Sequence, residues 1–238
     1  CQNCKREFTI EPDDFGFYEK MKVPPPTFCP RCRFQRRMTW RNDWRLFKKT
    51  DVRTGDKIFS LFPEESPVKI FDRDFWISDA WDGTEYGRDY DFSRPFFEQF
   101  QELQLRVPRM ALLNKNSTNS EYTNHSANNK NAYLSFAIFD SENISYSTWI
   151  MKNSYDCMDC SFINEKGERL YECIDSRTSY QCQFGIFLKD CSSCFYCYDV
   201  RGSNDCFMST NLRNKSYGFR NVQLNREEYL KKMEEIVF

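Results

Sequence analysis

From Asn114 onward the apolar positions keep no helical period. Short units recur instead, each setting Asn, Ser or Lys just before an aromatic residue or a cysteine. Examples are Asn131-Ala-Tyr133, Ser154-Tyr-Asp-Cys157, Ser179-Tyr-Gln-Cys182 and Lys215-Ser-Tyr217. The unit centres (Tyr133, Tyr146, Cys157, Cys173, Cys182, Cys194, Cys206 and Tyr217) lie 12 residues apart on average. The longest step holds Glu165-Lys-Gly-Glu168, which reads as a surface insertion. Self-similarity at a fixed period predicts a solenoid of short strands and tight polar turns. Two units per coil would give coils of about 24 residues, and so a parallel β-helix of four to five coils over 114–222. An irregular antiparallel β-sandwich is the alternative. Small cysteine side chains suit a narrow interior as compact hydrophobes. Asparagines at turns tolerate left-handed geometry and can ladder their amides.

Upstream the pattern changes. A helix is predicted over Pro30–Asn42, since proline is accommodated in a first helical turn. Two strands, Trp44–Lys49 and Lys57–Phe62, flank Thr54-Gly55-Asp56 and form a hairpin. A connecting region at 63–112 interleaves Asp72, Asp74, Asp79, Asp82, Glu85, Asp89 and Asp91 with Trp76, Trp81, Tyr86 and Tyr90. It ends in a helix over Pro95–Leu105, capped by Ser93, with Phe96, Phe100 and Leu103 as a buried stripe that plugs the next module. Asn225-Arg-Glu-Glu228 opens a last helix with Tyr229, Leu230, Met233 and Ile236 at helical spacing. That helix covers the open final coil or, alternatively, pairs two copies of the chain. The domains expected are 1–62, 63–112 and 113–238.

Composition narrows the class. The chain has 238 residues, 17% aromatic, with only 8 glycines, which excludes a disordered protein. No apolar run reaches the 18 residues of a membrane span. Net charge is −1 but uneven: +6 over 1–50, −5 over 51–112 and −2 over 113–238. A nucleic-acid surface would therefore have to be a patch.

The strongest chemical signal is two Cys-x2-Cys pairs, Cys1/Cys4 and Cys29/Cys32. Each tight turn presents two thiolates to one ion, and four sulfurs are the ligand set tetrahedral zinc prefers. Two disulfides or four unrelated thiols are the alternatives. The run Cys1-Gln-Asn-Cys4-Lys-Arg-Glu-Phe8, with Phe17-Tyr18-Glu-Lys20, Pro24-Pro-Pro26 and Cys29-Pro-Arg-Cys32-Arg33, resembles the probable zinc-ribbon domain of treble-clef type. The resemblance covers about residues 1–40. It implies a four-cysteine zinc knuckle holding one structural ion, followed by a helix, and no reaction. The fold class is thus mainly β: a treble-clef zinc knuckle, a short β-solenoid and a C-terminal capping helix. The remainder resembles uncharacterised cysteine-rich proteins of candidate-phylum bacteria, a likeness that carries no site. Because the numbering starts inside the knuckle, residues before Cys1 are expected, and a leader segment stays open.

Cys157/Cys160 and Cys191/Cys194/Cys197 also have ligand spacing. Core thiols, a second metal site and disulfides are the three readings. Disulfides sit awkwardly beside a thiolate zinc site, so a reducing cytoplasm is the simpler expectation. Arg33, Arg36, Arg37 and Arg41 fall in one arc of the expected helix and either grip phosphate or form a solvated face. Trp40, Trp44 and Phe47 read as core packing rather than base-stacking platforms. The acidic run has no EF-hand pattern. His125 is the sole histidine, too few for a His-metal nuclease, and reads as a turn residue. Phosphate loops and nucleophile elbows are absent from the sequence. The function expected is a non-enzymatic, zinc-stabilised binding protein contacting nucleic acid through the arginines. Its rival is a protein–protein scaffold using the solenoid face, with a carbohydrate-active β-helix enzyme less favoured.

Overall fold

The computed structural model describes residues 1–236. The chain divides into two compact units, Cys1–Asn42 and Asp43–Phe238. In the first unit, α1 (Pro12–Lys20) fills the loop between the cysteine pairs, an element the sequence pattern did not announce. Pro12 suits its first turn, where the missing N–H costs nothing, and Asp13 and Asp14 there with Lys20 in the last turn complement the helix dipole. α2 (Pro30–Met38) starts where expected but stops four residues short of Asn42. Thr39 ends it and donates its hydroxyl to the Arg36 carbonyl at 2.7 Å. Arg41 therefore lies in the turn beyond the helix.

The second unit opens with the expected hairpin, β1 (Phe47–Thr50) antiparallel to β2 (Lys57–Ser60), turning at Gly55 with φ +80°. β3 (Ile70–Phe71) is followed by α3 (Arg73–Trp76) and α4 (Phe96–Arg106), and pairs in parallel with β4 (Arg109–Met110). Phe71 anchors this segment, its ring 5.0 Å from Phe75 and 5.3 Å from Trp81. Lys49 is buried and donates to the carbonyls of Pro63, Glu64 and Ser66, so its charge is fully solvated by backbone. Two expectations fail here. Ser93 does not cap α4, because its hydroxyl is spent on Asp91 at 2.6 Å and Pro95 occupies the N-cap. Nor does α4 bury a stripe: it has no buried residue.

From Asn114 the chain winds into a parallel β-solenoid of about nine turns. Most coils are 12 residues, half the expected length: Lys130 pairs with Glu142, and Cys194 with Cys206. Glu142 to Tyr155 and Tyr155 to Glu168 take 13, with doubled positive-φ corners at Lys152–Asn153 and Glu165–Lys166. Each coil is a square with three-residue sides. One residue of each triplet points inward, the next bridges to neighbouring coils, and the third turns the corner with positive φ. Asn131, Leu134, Ala137, Asp140 and Asn143 show the rhythm, with φ between 42° and 57°. Because every third residue takes the left-handed region, asparagine and aspartate recur at corners, though Leu134, Phe162 and Phe187 occupy it too. Asparagine corners ladder as expected, Asn119 to Asn131 to Asn143 to Asp156, at 2.8 to 2.9 Å per step.

The inward residues stack into four columns. One runs Ala132, Ile144, Cys157, Leu170, Cys182, Cys194, Cys206, Gly218. Another holds Ile138, Ile150, Ile163, Ser176, Leu188 and Val200, all buried. Many inward residues are serine, for a reason of backbone accounting. The bridging and corner N–H groups bond to adjacent coils, leaving the inward N–H without a backbone acceptor. A serine one coil away supplies it: Ser147 N–H donates to Ser135 Oγ at 3.0 Å, and that hydroxyl donates to Tyr133 C=O at 2.8 Å.

Both ends of the stack are covered. Trp44 packs on Phe136 and Phe59 on Tyr122 near the first coils. At the far end, Val222–Gln223 turns back antiparallel to the last coil. α5 (Arg226–Glu234) follows with its capping box, Glu228 N–H to Asn225 Oδ1 at 2.9 Å. It buries Tyr229 against Tyr217, but Leu230 of the same expected face is exposed.

Candidate metal centre

The four N-terminal cysteines converge. Their sulfur atoms all lie within 4.8 Å of one another, and those of Cys4 and Cys29 are 3.8 Å apart. Local backbone explains why. Lys5, with φ 62°, closes a tight turn by donating to the Cys1 carbonyl at 3.0 Å. Gln2 N–H to Thr27 C=O at 2.9 Å then ties this turn to the second pair. Cys29 caps α2, whose first turn carries Cys32 inward.

The surroundings act unequally on the thiols: against the bond from Asn3, burial and the neighbouring Cys29 and Cys4 thiols raise Cys32 above its ordinary value. Cys29 N–H donates to Cys1 Sγ at 3.2 Å and Asn3 Nδ2 to Cys32 Sγ at 3.4 Å. A hydrogen bond from the Cys32 backbone holds the Cys29 thiol below its ordinary value. Four sulfurs with N–H donors around them can hold one metal ion. Asn3 is a contributor that spacing alone could not single out.

The arginines are arranged unequally. Arg33 reaches Tyr18 Oη at 3.4 Å, and its Nε is buried without a partner. The Arg36 guanidinium stacks over Phe28 at 5.4 Å and that of Arg37 over Phe34 at 6.0 Å, both residues remaining exposed. Trp40 and Trp44 are exposed as well, so the expected core packing holds for neither in full.

The eight solenoid cysteines are free and buried, facing the interior. Cys191, Cys194 and Cys197 sit on successive sides of one coil, with Cys182 and Cys206 stacked on either side of Cys194. They behave as sulfur analogues of the inward serines. Cys173 Sγ donates to Tyr171 C=O, and Cys191 Sγ to Lys189 C=O at 3.1 Å. Burial pushes the Cys157 thiol up to about 12, and hydrogen bonds to the neighbouring cysteines raise Cys194 as well. Among the described residues, only the knuckle brings three or more such ligands together.

Other candidates resolve into structure. Asp72 caps α3, accepting from Asp74 N–H at 2.8 Å, and Asp82 accepts from Thr84 N–H at 2.8 Å. Asp51 is buried and accepts from the Arg53 and Asp72 N–H groups. His125 takes a left-handed corner, φ 56°, edge-on to Phe139. No helix among the described residues is long and apolar enough to cross a membrane.

Outside the solenoid, rings stack coil on coil. Tyr133 meets Tyr146 at 5.7 Å, Tyr171 meets Phe184 at 5.4 Å, and Phe184 lies nearly parallel to Tyr196 at 4.6 Å. A cationic column, Arg177, Lys189, Arg201 and Arg213, runs along the bridging positions of another side. Acids interrupt it: Glu165 pairs with Arg177, and Asp199 with both Arg201 and Arg213. Comparison with family models, curated proteins and solved structures found no match to this chain.

Proposed function

We propose that this chain is a non-catalytic binding protein in which a zinc-knit knuckle accompanies a rigid solenoid that holds a protein partner. The row of exposed aromatic edges along the solenoid carries this reading. Tyr146, Tyr171 and Tyr196 are exposed, yet each packs against a ring of an adjacent coil, edge to face for Tyr146 and Tyr171 and face to face for Tyr196. A base or sugar needs a ring face, whereas apolar protein side chains pack well against edges. Ion pairs from Glu165 and Asp199 to three of the four cations of the column likewise favour protein over polyanion at that surface.

Zinc is the ion we assign to the knuckle, in keeping with the treble-clef resemblance. Tetrahedral Zn–S bonds of about 2.3 Å place sulfurs about 3.8 Å apart, the separation of Cys4 and Cys29. The ion would supply folding energy to the 1–42 unit.

The test is affinity capture with the full chain after nuclease treatment. A defined protein partner should be retained, and lost when Tyr146, Tyr171 and Tyr196 are changed together to Ser without a change in melting. Capture that survives the triple change, or that vanishes with nuclease, overturns the reading.

A second reading rests on Arg36 and Arg37. Stacking on Phe28 and Phe34 fixes the guanidinium planes of two exposed arginines, which suits bidentate phosphate contact. With Arg33 and Arg41 they would form the nucleic-acid contact. Changing all four to Gln should abolish salt-sensitive retention on an RNA or DNA column, and unchanged retention rules the contact out.

A further inference from the structure

The largest unexplained apolar surface lies neither on the knuckle nor on the solenoid. α4 and the segment before it leave Phe92 92% exposed, Phe97 79%, Phe96 56% and Phe100 44%, with Tyr90 and Leu103 exposed beside them. At about 200 Å² for a free aromatic side chain, the six together expose on the order of 700 Å². A stable monomer seldom shows a patch above roughly 300–600 Å².

The shape of the patch indicates what covers it. Tyr86, Tyr90, Phe96, Phe100, Leu103 and Leu105 line a groove of about 840 Å³. Phe92 and Phe97 are the most exposed rings on the same short stretch of chain and do not line the groove. They adjoin it, Phe92 lying 4.9 Å from Tyr90 and Phe97 5.3 Å from Phe96. A projecting ring beside a groove is what a two-fold contact requires, since each copy then offers its ring to the other's groove and the contact closes. Groups at the groove edge nearly balance in sign: Lys69, Arg88, Arg94 and Arg106 against Asp89, Asp91 and Glu102. Two such faces can meet without strong repulsion, and a strongly charged partner gains no advantage.

We propose that the chain forms a two-fold dimer through α4, burying Phe92 and Phe97 of each copy against the groove of the other. About 700 Å² per copy is close to the roughly 800 Å² per partner of a standard stable interface. The α4 stripe that sequence pattern assigns to the interior is then buried after all, between copies rather than within one. This surface is separate from the solenoid face, and the dimer stands or falls independently of the proposed binding function.

Sedimentation equilibrium of the full chain from about 1 to 100 µM tests it. A species that stops at two chains is expected. Phe97→Glu should weaken it at least about a hundredfold, as for a central aromatic anchor. Tyr146→Ala on the solenoid should leave it unchanged. Phe92→Asp gives a second reading on the same face should the Phe97 variant lose its circular-dichroism spectrum. A monomer throughout the range, growth beyond two chains, or an undiminished dimer in both face variants overturns the proposal.

Discussion

The knuckle and the solenoid use the same short motif for opposite ends. Cys1/Cys4 and Cys29/Cys32 have the spacing of Cys157/Cys160 and Cys191/Cys194/Cys197. In the knuckle two tight turns aim four sulfurs at one point. In the solenoid a separation of three is the length of one side of the square coil. Successive cysteines therefore enter the interior from different walls, and each bonds to backbone instead of to a common centre. A Cys-x2-Cys reports a repeat as readily as a ligand pair, and the backbone between the cysteines decides which.

Removing metal should separate the two regions most sharply. A strong chelator should unfold the 1–42 unit, a loss on the order of 10 kcal/mol in apparent stability, while the solenoid's β circular dichroism persists. Thiol titration should then find four fast-reacting cysteines, with the eight inward ones reacting only in denaturant. Twelve equally fast thiols would erase the distinction.

Alkaline titration comes next in size. The Cys157 thiol has an ordinary value of 9.0 and is raised to about 12 by burial. The folded solenoid thus keeps a proton that the unfolded chain sheds, so its stability is fully present below pH 9 and is lost as pH rises toward 12. At pH 12 this one thiol accounts for about 4 kcal/mol, read from denaturant midpoints measured across the range. A flat profile from pH 9 to 12 would place Cys157 outside the core.

Overpacking tests the narrowness of the coil. A Cβ on inward Gly167 would lie 2.4 Å from Ile163 Cγ2 and 3.0 Å from Leu170 Cδ1. Gly167→Val should cost about 3 kcal/mol in urea unfolding of the solenoid, with metal content of the knuckle unchanged.

The smallest effect separates hydrogen bonding from bulk. Cys197 Sγ donates to Phe195 C=O at 3.4 Å and accepts from the Ser209 N–H. Cys197→Ser keeps both bonds and should cost about 1 kcal/mol. Cys197→Val keeps the volume but leaves the Ser209 N–H unpaired, while Phe195 C=O still accepts from Met208 N–H at 3.0 Å, and should cost about 2 kcal/mol by the same unfolding measurement. In the knuckle the order has no counterpart, since either change at Cys29 should abolish metal binding.

Much was legible in the chain itself. The 12-residue recurrence, the asparagine ladders, the hairpin at Gly55 and the Asn225 capping box are local signals written in adjacent residues, and each is present in the fold. The coil is half the length expected from pairing two similar units, since each unit closes a turn by itself. A period gives the repeat but not how many repeats close a loop. α1 escaped notice because its residues have low amphipathic contrast and bury nothing. The α4 stripe was assigned to the interior because periodicity marks an apolar face without saying what faces it.

The candidate site divides in the same way. Four cysteines at paired spacing were enough to anticipate convergence, since ligand chemistry and tight-turn geometry are both local. The donation from Asn3 to Cys32, the tether from Arg33 to Tyr18 and the shortening of α2 that drops Arg41 off the helix depend on where separate segments meet. The same holds for buried Lys49, whose three carbonyl acceptors lie 14 to 17 residues away.

The sequence alone determined that this is a repeating β chain with a four-thiol knuckle and a capped C-terminus, because turns, caps and periods act over a few residues. Only the tertiary structure decided that three residues make a side and about twelve a coil, that eight thiols are core while four converge on one point, and that α4 faces outward. Those outcomes depend on which backbone groups find partners one coil away, and neighbouring residues do not encode that distance.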